Sequence, residues 1–202
     1  MSVKKPLVEA LQLYLENNPL SLHVPGHKNG MLTELPYDLK RALKYDVTEL
    51  TGLDDLHHPE EAILQAQQLL ADVYDTQRSF FLVNGSTVGN LAMIYATCEQ
   101  GDKILVQRNA HKSIFHAIEL VGVEPIYVMP ECDEVTQTMG ALSFETVKQA
   151  VDNHPDAKAL IITTPTYYGI VAKDLQEQIK YCHDHNIAVL VDEAHGAHLV
   201  AS

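Results

Sequence analysis

The sequence predicts an α/β protein: a mostly parallel, doubly wound sheet flanked by helices, preceded by an N-terminal helical arm. Three observations predict it. From Pro59 onward, short apolar runs alternate with segments of helical spacing, the pattern of strand–helix–strand crossovers. The runs are near-continuously apolar rather than alternating with polar residues, as expected of strands covered on both faces. The last of them, Ile187–Val191, leads directly into Asp192 and then His195 and Gly196, so a buried strand delivers a carboxylate to the sheet rim. Ligands of open α/β sheets bind at that rim, outside the carboxyl ends of the strands.

Residues 1–58 are expected to form an arm, and residues 59–202 the main domain. In the arm, Leu7 to Leu15 has helical apolar spacing, and Asn17-Asn18-Pro19 stops it. Leu22 to Gly30 is rich in turn residues and imidazoles, a short helix is expected over Pro36 to Tyr45, and Thr51 to His58 reads as loop. This arm is too sparse for a large core and is expected to pack on a neighbour. Pro59-Glu60-Glu61 reads as a helix start, with proline at the first position and acids at the positive end of the dipole. Ala62, Ile63, Ala66, Leu69, Leu70 and Val73 then share one face. The expected order continues with strand 80–83, helix 86–98, strand 103–107, helix 112–121 closed by Gly122, and strand 125–129. After an acidic loop over 131–140 come helix 143–153, strand 159–164, helix 174–185 and strand 187–191.

Composition excludes several classes. The chain has 202 residues, 46% hydrophobic and 20% charged, ordinary for a globular protein, with a formal net charge of −13. A nucleic-acid partner is not expected, because phosphate binding needs clustered Lys and Arg, and no basic run exceeds Lys4-Lys5. No apolar stretch approaches the ~20 residues of a membrane helix, and no apolar signal region follows the N-terminal lysines. Cys98, Cys132 and Cys182 are odd in number and widely spaced, which suits a reducing cytoplasm and has no metal-ligand spacing.

Four segments carry residues suited to chemistry. Asn84-Gly-Ser-Thr-Val-Gly-Asn90 joins a strand to a helix start; its glycines admit close approach of backbone, and its amides and hydroxyls can donate to a phosphate. An ordinary N-cap at Ser86 or Thr87 explains it equally well. It has neither the Gly-Lys-Ser/Thr ending of a triphosphate loop nor the three-glycine dinucleotide pattern. Arg108 to Ser113 follows the next strand and brings His111 to the same rim, either to stack on a planar cofactor or to cap the helix. Thr163 to Gly169 ends a further strand with hydroxyls and a rigid proline that can shape a pocket wall. Asp192 can pair with a cationic cofactor ring. Metal binding by His57-His58, His183/His185 or His195/His198 is not expected, for want of carboxylate or Cys partners in defined geometry. Nor is a Ser113–His111–Asp192 hydrolase triad, since no Gly-x-Ser-x-Gly elbow is present.

Five motifs in order, Val24-Pro-Gly-His-Lys28, Val83-Asn-Gly-Ser-Thr87, Arg108-Asn-Ala-His-Lys-Ser113, Thr164-Pro-Thr-Tyr-Tyr-Gly169 and Asp192-Glu-Ala-His195, resemble the Orn/Lys/Arg decarboxylase family, major domain. These are fold type I enzymes dependent on pyridoxal 5′-phosphate (PLP). Each motif alone is weak; the five together, from about Pro25 to His198, are specific. The resemblance implies that Gly85, Ser86 and Thr87 hold the PLP phosphate, that His111 stacks on the pyridine ring, and that Asp192 pairs with the ring nitrogen. It places His195 beside the ring, as a possible catalytic residue, where some relatives carry Trp. His27 and Lys28 receive no chemical role.

The family's Schiff-base lysine lies in a Ser-x-His-Lys motif some tens of residues after the Asp, and this sequence contains no such motif. Lys28, Lys103, Lys112 and Lys173 are no substitute. The expectation is therefore a truncated product or fragment of a PLP-dependent decarboxylase of a basic amino acid (arginine, lysine or ornithine) in polyamine biosynthesis, inactive by itself and cytoplasmic. Full-length relatives are expected to be homo-oligomers. Two alternatives stand beside this reading: another fold type I PLP enzyme, such as an aminotransferase or lyase, and a non-catalytic module that pairs with a full-length subunit.

Overall fold

The computed structural model describes residues 4–32 and 34–200, with the side chain of Val200 outside the description. The chain divides into two compact units, Met1–Phe81 and Leu82–Ser202.

The first unit holds α1 (Pro6–Glu16), α2 (Tyr37–Ala42) and α3 (Ala62–Tyr74), with α1 packed on α3. Pro6 opens α1 at its first position, where a missing N–H costs nothing. Leu20, Leu22, Val24 and Leu32 remain largely exposed. The expected start of α3 is corrected. Pro59, Glu60 and Glu61 precede the helix, and its positive end is met by Asp54 instead. Asp54 Oδ2 accepts the backbone N–H groups of Glu61 (2.8 Å) and Ile63 (2.9 Å), and Oδ1 those of Asp55 and Glu60 (both 2.9 Å). A carboxylate eight residues upstream of the helix thus takes the place of a local cap, a role that helix-start rules, which look only next door, do not find.

Desolvation pushes the Asp54 carboxyl up, but the backbone N–H donors of Glu60, Asp55, Glu61 and Ile63 together outweigh it and bring the pKa down from 3.8 to about 2. A carboxyl depressed in the folded state stabilises fully above its unfolded pKa. That stabilisation is lost as the pH falls through the folded value, here between about pH 4 and about pH 2. Asp54→Ala is expected to destabilise the first unit by roughly 0.5–2 kcal/mol at neutral pH, with the difference from the parent vanishing near pH 2. Urea unfolding of both chains at pH 7 and pH 2 checks it.

The second unit contains α4 (Gly85–Thr97), β1 (Lys103–Gln107), α5 (Lys112–Val121), β2 (Glu124–Val128), α6 (Phe144–Asn153), β3 (Ala159–Thr163), α7 (Leu175–Asp184), β4 (Ala188–Asp192) and the short α8 (Ala197–Val200). The four strands form one all-parallel sheet in the order β2-β1-β3-β4. Side chains alternate across it. Ile104, Val106, Ala159 and Ile161 pack with Ile94, Ile114, Ala117 and Ile118 of α4 and α5. Leu105, Leu160 and Ile162 face Val147, Val151 and Cys182 of α6 and α7. Helices therefore cover both faces, which explains the unbroken apolar strands. Pro125 lies on the edge strand β2, where a missing N–H is tolerated. Gly122 at φ +76° ends α5, and the Ser143 hydroxyl caps α6 by accepting from Thr146 N.

One expected strand is absent. Residues 80–83 form no ladder, and Phe80, Leu82 and Val83 are exposed. An apolar run becomes a strand only where a neighbour takes its N–H and C=O groups, and no strand of the sheet lies alongside it. Leu82 instead packs on α4: a Cβ at Gly89 would stand 2.8 Å from its Cδ1.

Candidate functional site

The strand order reverses direction between β1 and β3, which makes their carboxyl ends a switch point where a cleft opens. The β1–β3 ladder runs from Ile104–Ala159 to Val106–Ile161 and stops there. Beyond it the fully buried Gln107 side chain replaces the ladder: Oε1 accepts Thr163 N at 3.1 Å, and Nε2 donates to Asn109 Oδ1 at 2.8 Å. The diverging strands leave a cleft of about 220 Å³, lined by Ser86, Thr87, Asn90, His111, Thr163, Tyr167, Asp192, Ala194 and His195.

At one end of the cleft lies the start of α4. Asn84 (φ +75°) and Gly85 (φ +68°) both adopt left-handed backbone, the conformation glycine takes without strain. No side chain caps the helix. Ser86 and Thr87 sit within its first turn, so the ordinary-cap alternative is not what this segment does. Gly85 itself does not line the cleft.

Opposite is Asp192, the last residue of β4 and 6% exposed. Oδ2 accepts from Asn90 Nδ2 at 2.9 Å, and Oδ1 from Ala194 N at 3.3 Å. The tight turn after it needs Gly196, where a Cβ would meet Pro165 Cδ at 2.6 Å.

His111 caps α5: its Nδ1 accepts Ser113 N at 3.2 Å and lies 2.8 Å from Ser113 Oγ. The capping role and a place in the cleft thus coexist in one ring. Tyr167 stands between His111 and His195, with ring centroids 6.3 Å and 5.4 Å away. Ser113 is 1% exposed and Asp192 is held through Asn90 rather than His111, so the three do not form a hydrolytic triad.

The loop after β3 uses most of its hydroxyls internally. Thr164 Oγ1 accepts Ala172 N at 3.0 Å, and Thr166 Oγ1 accepts Ile170 N at 3.3 Å. Thr163 Oγ1, on the cleft wall, is buried without a hydrogen-bond partner. A buried hydroxyl left unpaired calls for an explanation, and a polar ligand in the cleft would supply one.

In the first unit, His27 is engaged structurally: Nδ1 accepts Gly30 N and Nε2 meets Asp46 Oδ2, each at 3.1 Å. Lys28 Nζ donates to the His23 carbonyl. Among the described residues, no group of three or more His, Cys, Asp or Glu side chains converges as a metal site, and no helix is long and apolar enough to cross a membrane.

Of the residues singled out in the sequence, Ser86, Thr87, His111, Asp192 and His195 line one cleft. Asn90, Gln107 and Thr163 were quoted there only within longer segments, or not at all, and their parts depend on contacts far along the chain. The cleft offers a helix N-terminus with two hydroxyls at one end, a carboxylate at the other, and three rings. That set suits a planar ligand with an anionic group at one end and a cationic N–H at the other.

Comparison with known proteins places the chain in a family. The profile of "Orn/Lys/Arg decarboxylase, major domain" matches residues 5–201. The chain is 51% identical over 197 residues to the uncharacterized protein YaaO of Bacillus subtilis, covering 96% of this chain and 41% of that one. It is 40% identical over 197 residues to an arginine decarboxylase of Bacillus cereus, covering 96% of this chain and 43% of that one. The lysine decarboxylase LdcF of Francisella novicida superposes with a TM-score of 0.80 at 24% identity, over 98% of this chain and 30% of the other, a likeness of fold. The chain spans about two fifths of the length of these curated relatives. With its profile matched almost end to end, the chain belongs to the Orn/Lys/Arg decarboxylase family, in the major domain.

Proposed function

We propose that the second unit binds PLP in this cleft and supplies the cofactor-holding part of a decarboxylase of a basic amino acid, and that the 202-residue chain alone does not turn over. The observation that carries the reading is Asp192: a buried carboxylate at a strand end, held by two donors and facing the cleft. The residues fit the cofactor. Ser86, Thr87 and the first-turn N–H groups of α4 would take the phosphate, and Gly85 lets the backbone turn there. His111 would lie against the ring, Asp192 would accept from the ring nitrogen and keep it protonated, and His195 would stand beside it. When bound, the protonated ring supplies the sink for the electron pair left as CO₂ departs. Thr163 Oγ1 would find its missing partner on the ligand.

Among the described residues no lysine lines the cleft, so these supply no amine there to bind the cofactor covalently and activate it. Release of CO₂ from carboxyl-labelled arginine, lysine and ornithine, with PLP added, tests this. The chain is expected to give no more than a protein-free PLP blank; catalytic release would contradict it. The substrate class rests on the family alone, and the motifs 24–28 and 108–113 favour a decarboxylase over an aminotransferase or lyase.

A second reading, pairing with an intact subunit, is favoured by an apolar groove on α4 and α5, where Leu91, Ala92, Tyr95, Leu120 and Val121 meet. Mixing the chain with a full-length relative should give a hybrid on size exclusion; a chain that stays separate would count against pairing.

Thr163→Val gives a prediction of opposite signs. Removing an unpaired buried hydroxyl at nearly constant shape leaves the free chain as stable or more stable, by up to about 1 kcal/mol. Losing that hydroxyl as a donor lowers ligand affinity roughly three- to tenfold. Thermal unfolding and equilibrium dialysis with pyridoxamine 5′-phosphate check the two; this analogue has no aldehyde to condense with surface lysines.

A further inference from the structure

We propose that Asn90 and Ser113 are positioning residues, which join Asp192 and His111 into one directed hydrogen-bond relay and so set the ring-nitrogen partner and the stacking imidazole in a common frame. The inference rests on the PLP reading of the cleft. The relay is Asp192 Oδ2, Asn90 Nδ2, Ser113 Oγ and His111 Nδ1, with successive separations of 2.9, 2.9 and 2.8 Å. Asn90 and Ser113 are 3% and 1% exposed, so water does not substitute for either.

The direction of every bond follows from the carboxylate. Asp192 only accepts, so the Asn90 atom beside it is the amide NH₂. That same nitrogen reaches Ser113 Oγ, which must therefore accept from it. The one proton of the Ser113 hydroxyl is left to point at His111 Nδ1, which also accepts Ser113 N at 3.2 Å. His111 Nδ1 thus keeps its lone pair, and the ring is the Nε2–H tautomer. Residue type is restrictive at both links. Position 90 needs one group that donates twice, and position 113 needs a short group that accepts and donates at once. Asn90 also lies on α4 within about one turn of Ser86 and Thr87. The phosphate-end groups, the ring-nitrogen partner and the stacking ring are therefore referred to one helix.

Asn90→Asp reverses the relay at nearly constant shape. A carboxylate at position 90 would accept the Ser113 hydroxyl proton, turning it from His111, and would face Asp192 with a like charge. The test has two arms on the 202-residue chain. In the first, ¹⁵N NMR of ring-labelled histidine reads the His111 Nδ1 resonance without ligand. Every variant is expected to keep the Nε2–H form, because the backbone N–H of residue 113 still donates to Nδ1. The parent and Ser113→Thr, which keeps the hydroxyl, are expected to show the Nδ1 resonance displaced by the hydroxyl's hydrogen bond; Asn90→Asp and Ser113→Ala are expected to lose that displacement. In the second, equilibrium dialysis reads pyridoxamine 5′-phosphate affinity, expected to fall tenfold or more in Asn90→Asp and to be retained in Ser113→Thr. Circular dichroism confirms that each variant keeps its fold, and Ser113→Ala, which adds no charge, serves if Asn90→Asp does not fold.

An unchanged His111 Nδ1 resonance in folded Asn90→Asp and Ser113→Ala would overturn the relay. A changed Nδ1 resonance with unchanged affinity would overturn the positioning role. If the parent shows the displaced Nδ1 resonance and the variants lose it, but the parent gives no saturable binding, the PLP reading fails and the positioning role with it, while the relay stands.

Discussion

Asp192→Ala is expected to weaken pyridoxamine 5′-phosphate binding by roughly 10- to 100-fold, the loss of one charge-assisted hydrogen bond worth about 1.5–3 kcal/mol. The side chain is 6% exposed and supplies the carboxylate end of the cleft. Asp192→Asn should lose nearly as much, because an amide neither carries the charge nor accepts alone, and it places a second NH₂ against Asn90. Equilibrium dialysis of parent and variants measures it; affinity within twofold of the parent in Asp192→Ala would remove Asp192 from the binding site.

The largest effect on stability is expected at Ile161. It is fully buried on β3, the strand that pairs with both β1 and β4, and belongs to the core beneath α4 and α5. Ile161→Ala should cost about 2–5 kcal/mol, lost transfer energy plus the cavity left behind. Against a total stability of ~5–15 kcal/mol this is a large fraction, visible as a lower urea midpoint. Leu120→Ala, at a side chain 72% exposed on α5, should stay within about 0.5 kcal/mol. The contrast separates the core beneath α5 from the outer face of that helix.

The strands and the chemical loops were legible in the sequence because their signals are local. Lys103–Gln107 and Lys112–Val121 begin and end where the apolar pattern and Gly122 place them. Asp192 could be read because a carboxylate straight after a buried run has few other places to be. Residues whose importance depends on distant partners were not legible. Asn90 meets Asp192 across 102 positions of chain, and Gln107 meets Thr163 across 56. Asp54 caps α3 from outside the window in which caps are sought. Residues 80–83 failed in the opposite sense: the composition is that of a strand, but no neighbouring strand supplies its hydrogen bonds. The free hydroxyl of Thr163 shows only once the bonds of Thr164 and Thr166 are known, since the three are alike in sequence.

The central claim is that Asp192 is the partner of a cofactor ring nitrogen. It is tested most directly by ¹⁵N NMR of ring-labelled pyridoxamine 5′-phosphate bound to the parent chain, at a pH where the free ring nitrogen is mostly unprotonated. A bound ring nitrogen that remains protonated in the parent and loses its proton in Asp192→Ala is the expected result. A ring nitrogen unprotonated in the parent complex, or equally protonated in both, would contradict the claim.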